Sequence, residues 1–439
     1  MNAALPSTCS PDRTGARGMT VLVCGANGFI GQALCARLEG GGHRVLRGVR
    51  RAAGPHDVAI DFARDVDPRA WRARLKGVDV VINAVGMLAD RRGATLDAVH
   101  RAAPCALFTA CCLAGVGRVI QISALGVERG DTRYFASKHA ADRFLQTLPI
   151  DFRIVRPALV YGAAGASARL FRMLASLPVH GLPEGGRQRL RPVHVDDLAE
   201  VVVRLVEHTG DSRAAGSRVI DVVGGDEVEY REMLACYRAA LGFPPAARVT
   251  LPGPLVGAAA ALLGTLPGAM LTRDTWTMLR GGNTGDPAAA TAVLGRPPRG
   301  LGSFIGADAG ALRRDALAMW RRPLLLGALA IVWIWTAIAS AFIHPLHASL
   351  ALLALAHLTG LPALIALYAA SALDFAFGIA TVVAPSRRLW AAQAALIVAY
   401  SAVIAVTMPG LLAEPFGPVL KNVPILAILL ILYSEEEHA

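Results

Sequence analysis

Lysine is almost missing from this chain. Three of its 44 basic residues are lysines, Lys76, Lys138 and Lys421, and the rest are arginines. A chain so committed to arginine that still sets a lysine four residues after Tyr134 needs a compact ammonium there rather than positive charge alone. Basic runs interleaved with aromatics are also missing, so the net charge of +11 gives no nucleic-acid surface and no nucleic-acid partner is expected. Scattered arginines suit anionic lipid headgroups better. The cysteines Cys9, Cys24, Cys35, Cys105, Cys111, Cys112 and Cys236 show no paired metal spacing and are expected to be buried thiols in a reducing compartment, with no metal site. Residues 1–18 hold no apolar core, which excludes a signal peptide. They are expected to be disordered, and Met19, directly before the first apolar strand, is an alternative start.

At 439 residues the chain is too long for one ordinary domain. Its 54% hydrophobic content exceeds that of most soluble proteins, and the excess lies after residue 322. Two modules are expected: an α/β domain, then a membrane module.

The run Thr20-Val-Leu-Val-Cys-Gly25-Ala-Asn27-Gly28-Phe29-Ile30-Gly31 reads as strand, glycine turn and helix start. Gly25 permits the turn, Gly28 lets backbone approach a pyrophosphate, Gly31 lets helix and strand pack, and the phosphates sit on the helix N-terminus formed with Asn27, Phe29 and Ile30. The second strand, 44–49, ends in Arg50 and Arg51 where an acid for ribose hydroxyls is usual, which favours NADP(H) over NAD(H); the alternative is two solvated arginines. Asp61, after the third strand, is expected to meet the adenine. The strand 78–82 runs into Asn83-Ala84-Val85-Gly86, a small-residue edge for the cofactor groove. The strand 118–122 delivers Ser123 at its carboxyl end, where open parallel sheets bind ligands. Tyr134 and Lys138 share a helix face at i, i+4. The ammonium would lower the phenol pKa and hold the nicotinamide ribose, Tyr134 would act as acid/base and Ser123 would bond the substrate oxygen. The bland alternative is a turn serine, a half-buried aromatic and a solvated lysine; their joint occurrence after the glycine turn favours the functional set.

Together with Ile122-Ser-Ala-Leu-Gly126, Arg156-Pro-Ala-Leu-Val-Tyr-Gly162 and Pro192-Val-His-Val-Asp-Asp-Leu-Ala199, these motifs resemble the extended or atypical short-chain dehydrogenase/reductases over residues 19–305. Within these, the resemblance points to the group related to the NADPH-binding accessory subunit of respiratory complex I. It implies a Rossmann-type doubly wound parallel sheet with a small substrate lobe from about residue 156. Pro157 and Leu159 would border the nicotinamide, and His194 and Asp197 would belong to the lobe, His194 more as a loop pin than a catalyst. Such proteins include reductases, sugar-nucleotide epimerases and proteins that hold NADPH without turnover. Residues 252–271 are apolar but broken by Pro and Gly, and are expected as a lobe helix grazing the bilayer.

After a basic linker at 306–322, uncharged or nearly uncharged runs at 323–343, 361–384, 389–408 and 419–433 give four expected transmembrane helices. The run 346–358 is expected as a re-entrant or interfacial helix. Arg313, Arg314, Arg321, Arg322, Arg387 and Arg388 put the dinucleotide domain and the C-terminus on the cytoplasmic side. Asp374, mid-span, should face the bundle interior, as a polar site for a ligand or proton or as a neutral acid bonded to a neighbouring helix. His344 and His347 are expected as ordinary interfacial residues. The acid in the second span and Lys421-Asn-Val-Pro-Ile-Leu resemble the DoxX-like four-helix membrane domains over residues 323–439. The chain is therefore expected to be a membrane-anchored NAD(P)H-dependent oxidoreductase for a carbonyl or hydroxyl of a lipid-soluble, quinone- or isoprenoid-like molecule. Its rivals are a non-catalytic NADPH-binding assembly or sensor subunit of a membrane-protein complex, and a nucleotide-sugar epimerase or dehydratase.

Overall fold

In a computed structural model of the chain, residues 18–91, 93–208, 217–266, 269–412 and 419–436 are described; nearly all of the expected disordered extension lies outside them. The chain divides into two compact units, Met1–Ala316 and Leu317–Ala439.

The first unit is built on seven parallel strands: β1 (Thr20–Cys24), β2 (Arg44–Val49), β3 (Asp57–Ala59), β4 (Val80–Asn83), β5 (Arg118–Ile122), β6 (Asp151–Pro157) and β7 (Val219–Val222). They lie side by side in the order β7-β6-β5-β4-β1-β2-β3. The strands are apolar on both faces, as a sheet covered on both sides requires. Along β1, Val21 and Val23 enter one core with α1 (Phe29–Gly40), α5 (Val195–Glu207) and α9 (Ala288–Leu294). Leu22 and Cys24 enter the opposite core with α2 (Ala103–Ala114) and α3 (Arg133–Gln146). Each such fully buried side chain contributes about 1.5–3 kcal/mol of transfer free energy. Strand order reverses beside β1, because it pairs with both β2 and β4; the crevice at that reversal, outside the carboxyl ends, is where such sheets bind ligands.

A smaller lobe packs α4 (Ala166–Ser176) against α6 (Tyr230–Ala240) around Tyr161, Tyr237 and Phe304. The apolar stretch expected at 252–271 gives α7 (Gly253–Leu263), which pairs with α8 (Arg273–Arg280) through Val256, Ala260 and Trp276 and leaves Leu255 and Leu262 exposed.

The second unit holds most of α10 (Ala309–Ile338), then α11 (Leu346–Leu355), α12 (Gly360–Val383), α13 (Arg387–Thr407) and α14 (Asn422–Glu435). The stretch expected as a basic linker is thus helical from residue 309. Its Ala, Leu, Met and Arg residues are strong helix formers, Gly310 falls in the first turn, and Pro323 lies inside α10. Among the described residues three helices are long and apolar enough to cross a membrane: Ala309–Ile343, Gly360–Val383 and Arg387–Thr407. The fourth expected span contributes α14, which at 14 residues rises about 21 Å. Leu329 and Trp333 of α10, Trp390 and Ile397 of α13 and Leu429 and Leu432 of α14 form the interior. Ile331, Trp335, Ile365, Val382, Val406 and Leu430 face outward, the inverse of a water-soluble bundle.

Candidate functional site

The turn after β1 is shaped by what its glycines lack. Gly25 has φ +81, a left-handed conformation that costs a non-glycine residue. A Cβ on Gly31 would collide with the Gly25 carbonyl, so α1 reaches the strand closely only with glycine there. Gly25 and Ala26 donate to the Gly48 carbonyl at 3.0 and 3.2 Å, tying the turn to β2. Gly28 caps α1 without a side-chain cap, so the Phe29, Ile30 and Gly31 amides have no intrahelical acceptor, the kind of donor that can bind phosphate at a helix start. Asn27 is exposed and its carbonyl accepts from Gln32 at 3.2 Å. The Phe29 ring packs at Gly162 and Gly165 and Ile30 leans on the core, so both serve the turn through backbone rather than side chain.

Arg50 and Arg51 stand exposed just past β2. Asp61 accepts from the Ala63 amide at 3.0 Å and pairs with Arg64 at 3.7 Å, so part of its carboxylate is occupied in a turn. Asn83 is buried, donates to Gln121 Oε1 at 2.8 Å and accepts from the Val85 amide at 3.2 Å. Its side chain therefore sets the course of the Ala84-Val85-Gly86 edge, and Ala84 donates to the Cys24 carbonyl at 3.0 Å. A Cβ on Gly86 would lie 3.7 Å from Lys138 Nζ, so this edge faces the lysine.

Helix α3 begins at a Thr132 side-chain cap, which lets Tyr134 fall in its first turn. Lys138 is buried, donates to the Ile122 carbonyl at 2.9 Å and lies 5.8 Å from the centre of the Tyr134 ring. Burial raises the Tyr134 phenol above its ordinary value, with the Asp142 charge adding to the rise. Burial lowers the Lys138 ammonium to about 8, against the opposing pull of Asp142. Among the described residues no hydrogen bond engages the Tyr134 hydroxyl. Ser123, at the end of β5, donates to Asp142 Oδ2 at 2.6 Å.

Asp142 and His100 were not expected from the sequence. Asp142 stands at i+4 from Lys138, the next step on the face that carries Tyr134, and that spacing could have found it. It is fully buried, 3.7 Å from Arg156 Nε; Arg156 also pairs with Glu128. Burial pushes its carboxyl up to about 6, while Ser123, Lys138 and Gln121 pull it down. His100 precedes α2 and no local pattern marks it. Its Nε2 accepts from the Met87 amide at 3.1 Å and its Nδ1 bonds Ser137 Oγ at 3.0 Å. Ser137 in turn donates to the Tyr134 carbonyl at 2.9 Å, so Nδ1 carries the proton. Edge-on to the Tyr134 ring at 5.3 Å, this imidazole is held neutral by burial and by the Lys138 charge.

On the lobe side, Leu125 donates to the Pro157 carbonyl at 2.9 Å and the Leu159 amide donates to Asn283 Oδ1 at 2.7 Å. A cleft of about 220 Å³ lies there, lined by Leu125, Gly126, Glu128 and Arg129 and by residues 281–284. Arg129 bonds the Gly281 carbonyl at 2.8 Å, closing the cleft with chain from 152 positions away. His194 caps α5 through the Asp196 amide and receives Arg299 at 3.0 Å; Asp197, fully buried, is bonded to Arg296 and to the Arg299 amide. Both hold the lobe together. Among the described residues no group of His, Cys, Asp and Glu could hold a metal.

Residues 21–216 match the NAD dependent epimerase/dehydratase family and residues 330–430 the DoxX-like family. The chain is 30% identical over 217 residues to the mitochondrial NADH dehydrogenase [ubiquinone] 1 alpha subcomplex subunit 9 of Arabidopsis thaliana, covering 46% of this chain and 53% of the relative; it thus spans about half of that protein. It is 26% identical over 260 residues to a 2-alkyl-3-oxoalkanoate reductase of Stenotrophomonas maltophilia, covering 52% of this chain and 77% of the relative. In fold it is similar to an NADPH-dependent quinone oxidoreductase of Escherichia coli complexed with NADPH, with TM-score 0.52 and 17% identity over 65% of this chain and 98% of that one.

Proposed function

Taking as premise a chain that joins an epimerase/dehydratase-type Rossmann domain to a DoxX-like membrane domain, we propose that it is a membrane-anchored reductase that uses NADP(H) on a carbonyl or hydroxyl of a lipid-soluble molecule. The observation that carries this reading is the single face of α3 that gathers Tyr134, Lys138 and Asp142 beside Ser123. Nicotinamide dinucleotide, when bound, would supply the hydride. The α1 amides would hold its phosphates and Lys138 its ribose, with Gly86 leaving room between. Arg50 and Arg51 would meet a 2′-phosphate. Asp61 would reach the adenine, and Pro157 and Leu159 would border the nicotinamide.

Tyr134 is the proton carrier: its hydroxyl gives a proton to the substrate oxygen on reduction, with the Lys138 ammonium 5.8 Å from the centre of its ring. Ser123 orients the substrate oxygen, and its polarity follows Asp142. While Asp142 is ionised, the serine proton is committed to the carboxylate and only lone pairs face the substrate. Once Asp142 is protonated, its O–H donates to Ser123 and frees the serine proton for a carbonyl. The polar cleft at Glu128 and Arg129 suits an oxygenated head group, and the bilayer module suits a lipid-soluble body. The dinucleotide domain and C-terminus would face the cytoplasm.

The plant relative, a subunit of NADH dehydrogenase by its name, favours a second reading: a subunit that holds NADPH within a membrane complex without turnover. One experiment separates the two. NADPH bound to detergent-purified protein is followed in a single turnover, with and without a lipid extract of the source membrane, for wild type and Tyr134→Phe. Oxidation that needs the extract and drops about 10²–10⁴-fold in the variant, with NADPH affinity kept, is the expected result. NADPH retained in both would sink the reductase reading and leave the holding subunit.

A further inference from the structure

The membrane bundle buries five polar side chains among the described residues: Ser349, Ser371, Asp374, Thr381 and Gln393. Four of them are satisfied. Ser349 meets His344 at 2.9 Å, Ser371 donates to the Leu367 carbonyl at 2.9 Å and Thr381 to the Phe377 carbonyl at 2.8 Å. Gln393 donates to Thr381 at 2.9 Å and accepts from Trp333 at 3.0 Å. Asp374 is the exception: it is 5% exposed and its Oδ1 is buried with no hydrogen-bond partner. Leu373 and Phe375 on either side of it face outward, so the acid points into the bundle. Gly378, one turn on, would clash with Ile334 if it carried a Cβ. Helices α10 and α12 therefore touch there and close the acid off from lipid.

An ionised carboxylate in such surroundings is strongly disfavoured, whereas a protonated one needs only an acceptor. The groups around it are arranged in rungs. On α12, Ser371, Asp374, Gly378 and Thr381 share the inner face; on α13 that face carries Trp390, Gln393 and Ile397. Trp390 donates to Glu436 at 3.2 Å, and Glu436 pairs with Arg322 at 2.8 Å. Rungs therefore run from Arg322, Glu436 and Trp390, through Gln393, Thr381 and the Phe377 carbonyl, to Asp374, each about one helical turn or ~5 Å along the axis from the next. Beyond it, Asn422 donates to Ser401 at 2.8 Å. Tyr400 on α13 lies within electrostatic reach of the acid. The other titratable or charged side chains on these elements within the membrane unit are Tyr368 on α12 itself, His344 and His347 around the start of α11, Arg321 and Arg322 on α10, and Arg387 and Arg388 on α13.

We propose that Asp374 is a reversible proton-binding site within the membrane bundle, loaded from the end that carries Arg322 and Glu436 past the Gln393–Thr381 column, with Trp390, a donor only, holding Glu436 at its mouth. The step is the addition of one proton to a carboxylate oxygen and its later release; no bond other than O–H forms or breaks. This site is separate from the dinucleotide site, and its test needs no cofactor.

The test uses the full chain in native membrane vesicles and dicyclohexylcarbodiimide, a lipid-soluble reagent that modifies protonated carboxyls. The modified peptide is quantified by mass spectrometry from mildly acidic to mildly alkaline pH. The expected result is an adduct at Asp374 whose yield falls several-fold as pH rises and is lost in Asp374→Asn. After an acid jump, Gln393→Leu should slow the rise of labelling several-fold without changing its final extent, and Gln393→Glu, which keeps a hydrogen-bonding side chain, should restore the rate. No adduct at Asp374 in the wild-type protein, or a yield independent of pH, would overturn the site. Equal rates in wild type and Gln393→Leu would overturn the column.

Discussion

At the scale of single residues, the site is governed by two side chains whose protonation burial has moved toward neutrality. Lys138 is lowered to about 8, so in the free protein the ammonium population falls as pH rises through that value. NADPH affinity, measured by fluorescence titration, should fall over the same interval, and Lys138→Met should bind weakly with no such dependence. Asp142 is raised to about 6, so its protonated form grows as pH falls through 6 and, on the proposed mechanism, would free the Ser123 proton for the substrate. Carbonyl reduction should therefore quicken on the acidic side, and Asp142→Asn, which cannot titrate, should flatten that limb of the pH–rate profile. Arg50 and Arg51, proposed to meet a 2′-phosphate, would act by charge. Reversing both to Glu should weaken NADPH relative to NADH by about ten- to a hundredfold, and an unchanged ratio would remove them from the cofactor site.

Among the elements, the β1 turn and α1 depend on one missing methyl. In Gly31→Ala the Cβ meets the Gly25 carbonyl and Ala26 Cα, backbone that no rotamer change can move aside. Overpacking of this kind costs about 1–3 kcal/mol, and the variant should melt earlier and bind dinucleotide poorly. That glycine spacing is written locally, as are the strands on either side of it, because each needs only neighbours in sequence. The i, i+4 face of Tyr134 and Lys138 was legible for the same reason. Asp142 continues that face, yet nothing local tells a buried acid from a solvated one; its burial comes from Ser123 and Arg156, carried on β5 and β6. His100 and the 281–284 segment were illegible because tertiary packing alone brings them to Tyr134 and Arg129. In the membrane unit, hydropathy found the long apolar runs. Residues 306–322, read as a basic linker, are helical from residue 309, where helix propensity decides the local structure.

For the whole molecule, the outward-facing Ile331, Trp335, Ile365, Val382 and Val406 require a hydrocarbon solvent. The protein should stay with membranes through high salt and alkaline carbonate and leave them only in detergent; release by salt alone would mean that charge, not insertion, holds it. Cys24 on β1 and Cys111 on α2 lie in one core cluster, and burial pushes both thiols far above their ordinary values. Since only thiolate reacts, these sulfurs stay silent to alkylating reagents until the sheet itself opens. The dinucleotide domain thus carries its own stopwatch: the pace at which Cys24 and Cys111 become alkylated counts its openings, and a bound dinucleotide slows that count by as much as it holds the fold shut.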